Sequence, residues 1–369
     1  MASSTGTRRE PDKGTKASPL EGTKLAPARR VPTWAAWVVG LILLALVCYM
    51  ALFMGAATLT RDEVWGSITH KLGIFASDSR PAPSLIRQSI LFDLRIPRIV
   101  MGIFVGAGLA VAGAALQAIT RNDLAEPYLL GVSYGASTGA VVALLLMPVS
   151  FALGLTGGAA IGALLSFGLL MLLLRGSGFV STRVVLTGVL VGQFFSAITS
   201  LILVARGDAE SVRGITFWLL GAMGASRANT MWIVLITVVI TSLLIWMMSR
   251  YLDAMSFGDE TAKSMGVPVV SVRAAVLILV ALMTAATVSA VGAIGFIGLL
   301  VPHAVRMIVG SSHARLIPLS ALVGAILLVF TDALARSVFQ PQEVPVGVFT
   351  RSEERRVGKE CRSRWSPYH

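Results

Sequence analysis

The sequence predicts an all-α fold, a polytopic bundle of membrane helices, and three observations carry that reading. Apolar residues fill 55% of the 369 positions and charged residues only 14%, where a soluble domain carries about a quarter charged. Mean hydropathy is +0.78. Uncharged runs of about 20 residues, enough to cross a bilayer core about 30 Å thick, recur along the chain. A soluble enzyme, a DNA-binding domain and a secreted disulfide scaffold are thereby excluded. The net charge of +12 is concentrated in the two polar ends, which fits contact with anionic lipid and no nucleic acid. Cys48, inside the first apolar run, and Cys361 cannot build a disulfide framework or a cysteine metal site.

Residues 1–33 hold seven Lys and Arg among Ser, Thr, Gly and Pro, a composition that predicts a disordered cytoplasmic tail. The uncharged run 34–57 is too long for a cleavable signal and predicts the first span. Further spans are predicted at 99–120, 184–205, 228–249 and 316–331. The run 128–174 must be two helices, broken near Met147, Pro148 and the glycines that follow. The run 274–305 divides near Gly292 and Gly295, giving nine spans in all. Residues 214–226 are apolar but short, predicting a helix that lies at one face. Fifteen Lys and Arg fall on the side of the N-terminus and ten on the other, which points to a cytoplasmic N-terminus. Glycines spaced by four (Gly131, Gly135 and Gly139; Gly154, Gly158 and Gly162; Gly102 and Gly106) predict smooth faces where helix backbones approach closely.

An ion-driven carrier needs titratable groups near the bilayer midplane, and the middle of every predicted span lacks Asp, Glu, Lys and Arg. Asp332 and Arg336 fall at one span end, His303 and Arg306 near another. No G-x-x-x-x-G-K-[ST] phosphate loop occurs either. Energy for transport must therefore come from a partner, as in the membrane half of a two-part pump.

The residues also carry a family resemblance. Leu94-Arg-Ile-Pro-Arg98 leads into Val105-Gly-Ala-Gly-Leu-Ala-Val-Ala-Gly-Ala114 and then Asn122-Asp-Leu-Ala-Glu-Pro-Tyr-Leu-Leu-Gly-Val-Ser133. With Gly258-Asp-Glu-Thr-Ala-Lys-Ser-Met-Gly266 and Gly295-Phe-Ile-Gly-Leu-Leu-Val-Pro-His303, the stretch from about residue 34 to Thr350 resembles the FecCD permeases. These are membrane subunits of type II ABC importers for iron-siderophores, haem and cobalamin. The resemblance implies a permease domain over 34–350 with ten spans per subunit, in a bacterial cell membrane. It implies a second permease copy or paralogue, two cytoplasmic ATPase subunits that bind the ATP, and an extracytoplasmic substrate-binding protein. No cofactor in this subunit and no bond chemistry are expected. An ion-coupled secondary transporter and a non-transporting scaffold are the alternative readings.

The resemblance also assigns roles. Arg95, Arg98 and Arg336 match arginines that dock the binding protein; at predicted outer helix ends they could make bidentate carboxylate contacts or anchor to lipid headgroups. Gly258, Asp259, Glu260, Thr261, Ala262, Lys263, Met265 and Gly266 match the loop that couples to the ATPase, against a solvated turn as the plain reading. Ser181 and Thr182 match a cytoplasmic gate, where small hydroxyls could equally cap a helix. His303 is expected to be packed or hydrogen-bonded. His70 and His313 have no carboxylate or cysteine at ligand spacing, and no protein-held metal is expected. Asp123 stands where the family usually has proline. From Arg351 the chain leaves the family pattern for a charged tail, 351–369, that cannot cross a bilayer. That tail resembles translated adapter sequence joined to a truncated gene, predicting a missing tenth span and an impaired permease.

Overall fold

The computed structural model describes residues 32–55, 59–72, 84–148, 154–176, 179–224, 228–338 and 344–350. Among these residues the secondary structure is helical, with no strand. The predicted tails, 351–369 and all but the last two residues of 1–33, lie outside the described residues.

The first predicted span is α1 (Thr33–Phe53). Then comes α2 (Arg61–Leu72), which the hydropathy did not predict, although Thr60 and Glu63 mark its start. The Thr60 backbone N–H donates to Glu63 Oε2 at 3.0 Å, half of a capping box. Next, α3 (Leu85–Ser89) runs through a π-helical segment, Ile90–Arg95, into α4 (Ile96–Thr120). The second predicted span is thus the C-terminal part of one 36-residue apolar helix. Arg87, Asp93, Arg95 and Arg98 concealed its beginning from a search for uncharged runs.

The long apolar run divides near Pro148, as predicted, into α5 (Val132–Leu145) and α6 (Gly154–Leu174), after a 3-10 turn at Pro127–Leu130. After α7 (Ser181–Arg206), the short helix α8 spans Ala209–Leu219, earlier than predicted. Asp208 starts it by accepting the Ser211 N–H at 3.4 Å, and Gly221, at φ +81°, turns the chain away. The remaining helices are α9 (Ala228–Met247), α10 (Ser249–Ser256), α11 (Asp259–Ser264), α12 (Val269–Val291), α13 (Ile297–Val309) and α14 (His313–Ser337). Gly292, at φ +76°, separates α12 from α13 because a side chain there would overlap the Trp218 carbonyl.

Among the described residues seven helices are long and apolar enough to cross a membrane, and α5 and α13 are shorter apolar ones. These nine helices fall where the nine spans were predicted, seven of them long enough to cross. The core is α4, buried over nearly its whole length and packed on α9, α12, α13 and α14. By contrast α1, α7 and α9 turn large apolar side chains outward, as a bilayer allows.

Lipid tails supply no hydrophobic drive between such helices, so contact depends on close backbone approach. A Cβ on Gly106 would overlap the Gly324 carbonyl, and one on Gly139 the Gly158 carbonyl. The ladder is less regular than its spacing suggested: Gly154 faces open space, and Gly131 packs against Gly188 and Gly192 of α7. Replacing Gly139 by Val is expected to overpack the α5–α6 contact by about 1–3 kcal/mol, seen as a lower unfolding midpoint in detergent. Gly168, with nothing within 4 Å of an added Cβ, tolerates Ala without such a loss.

Candidate functional site

Two polar clusters sit at opposite ends of α4, whose 25 residues separate them by roughly 36 Å at 1.5 Å per residue. At one end the C-terminus of α4 meets the starts of α7 and α12 and the whole of α11. At the other, the start of α4 meets the C-termini of α1 and α14.

The first cluster is built around α11. Gly258, at φ +112°, makes the turn into it and Gly266, at φ +82°, the turn out, both conformations that favour glycine. Ala262 is fully buried and anchors the helix. Glu260, Thr261, Lys263 and Met265 face outward, and Phe257 beside them is 75% exposed. Lys263 Nζ meets Glu260 Oε1 at 2.8 Å, and this contact raises the Lys263 pKa. Being solvent-exposed, the pair contributes little to stability. The result is a small knob of two apolar points around an ion pair.

Asp259 faces the other way. Arg273, at the start of α12 and 2% exposed, donates from Nη2 to Asp259 Oδ1 at 2.7 Å and from Nη1 to Oδ2 at 3.1 Å. The same Nη1 donates to the Phe179 carbonyl at 3.1 Å. One guanidinium thus ties α11 to the segment entering α7. Arg121, the left-handed C-cap of α4, stands 3.9 Å from Asp259 as a second cation. Hydrogen bonds from Arg273 hold the Asp259 carboxyl below its ordinary pKa; burial opposes this, and the charges of Arg273, Arg121 and Lys263 reinforce it. A depressed carboxylate stabilises the fold above its unfolded pKa of about 3.9 and loses that contribution as pH falls through the folded value. The stability difference between wild type and Asp259→Asn is therefore expected to stay constant above about pH 5 and shrink below it, measured as unfolding midpoints.

Two residues beyond Phe179, Ser181 Oγ donates to the Ile119 carbonyl at 3.1 Å, joining the start of α7 to the end of α4. The alternative of a helix cap is not realised, since Val180 is the N-cap and receives no side-chain bond. Thr182 is exposed. The expected gate and coupling residues are thus neighbours, linked by Arg273.

The second cluster holds the three arginines expected at outer helix ends. Arg95, Arg98 and Arg336 are turned into the protein: Arg95 and Arg336 are each 5% exposed. Arg98 grips Asp332, with Nε 3.1 Å from both carboxylate oxygens and Nη2 at 3.0 Å from Oδ1. Arg336 Nε lies 3.1 Å from Asp332 Oδ2. Its Nη1 donates to the Met54 carbonyl at 3.1 Å and Nη2 to that of Ala51 at 3.5 Å, while Arg95 donates to that of Leu52. The last carbonyls of α1 lack helical partners and carry the negative end of its dipole. Together with Asp332 they draw all three guanidinium groups inward.

Two histidines also differ from expectation. His303 is exposed on α13 instead of packed. His313 does have a carboxylate: Asp253 Oδ1 lies 2.6 Å from its Nδ1 and accepts its backbone N–H at 2.8 Å, capping α14. Asp123, the departure from the family pattern, pairs with Arg306 at 2.7 Å.

Comparison with known proteins rests on this geometry. The sequence profile of the FecCD transport family matches residues 42–352. The chain belongs to the FecCD family. This FecCD permease is 36% identical over 323 residues to the uncharacterized ABC transporter permease protein YvrB of Bacillus subtilis, covering 86% of this chain and 90% of that protein. It is 35% identical to the iron(3+)-hydroxamate import system permease protein FhuB of Bacillus subtilis, over 85% of this chain and 79% of that one. To the Fe(3+) dicitrate transport system permease protein FecD of Escherichia coli it is 39% identical, over 71% and 81%. A solved structure described as an inward-facing metal-chelate type ABC transporter superposes with a TM-score of 0.75 at 28% identity, covering 89% of this chain and 98% of that one. The fold of this FecCD permease is therefore that of an ABC transporter permease, and the chain is a multi-pass membrane protein.

Proposed function

We propose that this FecCD permease is the membrane subunit of an ATP-driven importer that carries a metal chelate into the cytoplasm by alternating access. The observation that carries the reading is the Arg273 bridge, which joins the exposed knob of α11 to the entry of α7. In this reading Phe257, Glu260, Lys263 and Met265 seat against a cytoplasmic ATPase. Closure of two such ATPases on ATP pushes α11, and Arg273 passes the displacement to Phe179 and so to the gate at Ser181 and Thr182. ATP is held by the ATPases and none by this subunit. A second permease, identical or a paralogue, completes the pathway. The α11 end faces the cytoplasm with the N-terminus, and an extracytoplasmic binding protein delivers cargo at the far end. The buried arginines of that end act by holding α1 to α4 and α14.

Relatives named for ferric hydroxamate, ferric dicitrate and vitamin B12 import support chelated iron or cobalamin as the cargo class. The test is uptake into vesicles holding the permease with its ATPase and binding protein. ATP inside the assay is expected to drive ferric chelate or cobalamin across. Uptake driven by an ion gradient without ATP would point to a secondary carrier instead.

A further inference from the structure

A cavity of about 170 Å³ opens where α1 and α14 begin and α13 ends, and its walls include Thr33, Trp37, Val309, Arg315, Pro318 and Leu319. Two membrane spans start here, which puts the cavity at headgroup level on the side of the N-terminus. The far end of α1 is fastened, since its last carbonyls accept from Arg95 and Arg336. Its near end has no such hold. Over its most apolar stretch α1 is only 11% buried, and among the described residues neither the Thr33 hydroxyl nor the Trp37 indole N–H has a hydrogen-bond partner. Arg315 is exposed and has no carboxylate partner among the described residues. By contrast Trp246 of α9 commits its N–H to the Ala314 carbonyl at 3.0 Å, which fixes the start of α14. The cavity thus offers a cation, an indole N–H and a hydroxyl over an apolar floor, and none of the described residues lining it is acidic. Seven Lys and Arg against three Asp and Glu precede it in residues 1–33.

We propose that this cavity binds the headgroup of an acidic phospholipid, which clamps the start of α1 to α13 and α14. Arg315 pairs with the phosphate, where a guanidinium bonds two oxygens at once. Trp37 and Thr33 donate to the remaining headgroup oxygens, and the indole sits at the interfacial depth that tryptophan favours. The acyl chains continue along the outward side of α1, where Val38, Leu41 and Ile42 are at least half exposed. A zwitterionic lipid brings an ammonium group that finds no carboxylate in this wall and is repelled by Arg315. An acidic lipid brings only negative charge, which the basic N-terminal residues also attract. At about 170 Å³ the cavity is smaller than the pockets of about 300–1,000 Å³ that enclose a whole small molecule. It therefore takes a headgroup and leaves the chains in the bilayer, an apolar contact that free phosphate lacks. The inference rests on the membrane placement of the chain and not on the importer reading.

The test counts lipid on the full chain, purified in detergent, by native mass spectrometry during titration with phosphatidylglycerol or with phosphatidylcholine of the same acyl chains. Wild type is expected to retain one phosphatidylglycerol at least tenfold more tightly than phosphatidylcholine, and its unfolding midpoint to rise as that lipid is added. Arg315→Gln is expected to bring the two lipids within twofold and to lose the rise. Arg175→Gln, which removes an exposed arginine just after α6, is expected to behave as wild type. Equal retention of the two lipids by wild type overturns the proposal without any variant. So does a preference that survives in Arg315→Gln, as it would if the N-terminal Lys and Arg alone drew the lipid, or an equal loss in Arg175→Gln. Displacement of the lipid by millimolar inorganic phosphate would assign the cavity to a free anion and overturn the proposal as well.

Discussion

Arg273→Met is expected to leave the permease–ATPase complex hydrolysing ATP at close to its normal rate while chelate moved per ATP falls tenfold or more. The argument is local. The guanidinium makes two charge-assisted bonds to Asp259 and a third to the Phe179 carbonyl, and methionine replaces the stem without the fork. Removing one member of a buried pair costs about 3 kcal/mol at the low end of the usual range, and Arg121 at 3.9 Å leaves Asp259 partly compensated. The fold therefore survives, but α11 is no longer fastened to the entry of α7. Arg273→Lys keeps the charge and loses the three-way geometry, so its coupling ratio is expected between wild type and Met. If Arg273 acts through Asp259, Asp259→Asn and Arg273→Met are strongly non-additive in that ratio. Purely additive losses would mean that the two residues serve unrelated ends.

Asp332→Ala is expected to be the most destabilising single change at the far end. Asp332 is 2% exposed and bonds both Arg98 and Arg336. Without it two buried guanidinium groups lose their shared carboxylate, a loss of about 3–5 kcal/mol. The chain should then reach the membrane in greatly reduced amount, with a lower unfolding midpoint for what remains. Arg336→Met also removes the bonds to the α1 carbonyls and should expose α1 to proteolysis. Normal yield and stability for Asp332→Ala, with tighter hold on a binding protein, would restore the three arginines as surface docking groups.

The spans were legible because a bilayer demands long uncharged runs, and 34–57 and 228–249 answer that demand without interruption. Charges hid the ends of two others. Arg87, Asp93 and Arg95 masked the start of the long helix through α4, and α14 extends past its predicted limits because Arg98 neutralises Asp332 from a distant part of the chain. The glycine spacing revealed close packing, but not which faces meet, since Gly131 turns to α7 and Gly139 to α6. The proposed coupling loop and gate were recognised only as family motifs. Their connection was not, because Asp259 and Arg273 lie on either side of Gly266 and Pro268, and only the folded turn brings them to 2.7 Å. The inward turn of the arginines was not legible for a related reason: Arg98 pairs with Asp332 from a distant part of the chain, and Arg95 and Arg336 bond backbone carbonyls of α1, which leave no mark in the sequence.

The central claim, that α11 and the entry of α7 move as one body, is tested most directly by pulsed electron-spin distance measurement between labels at Lys263 and Thr182. Both positions are exposed. In the assembled transporter the distance is expected to stay the same with and without ATP, and to broaden and shift with ATP in Arg273→Met. A clear ATP-dependent change in the wild-type distance would contradict the account.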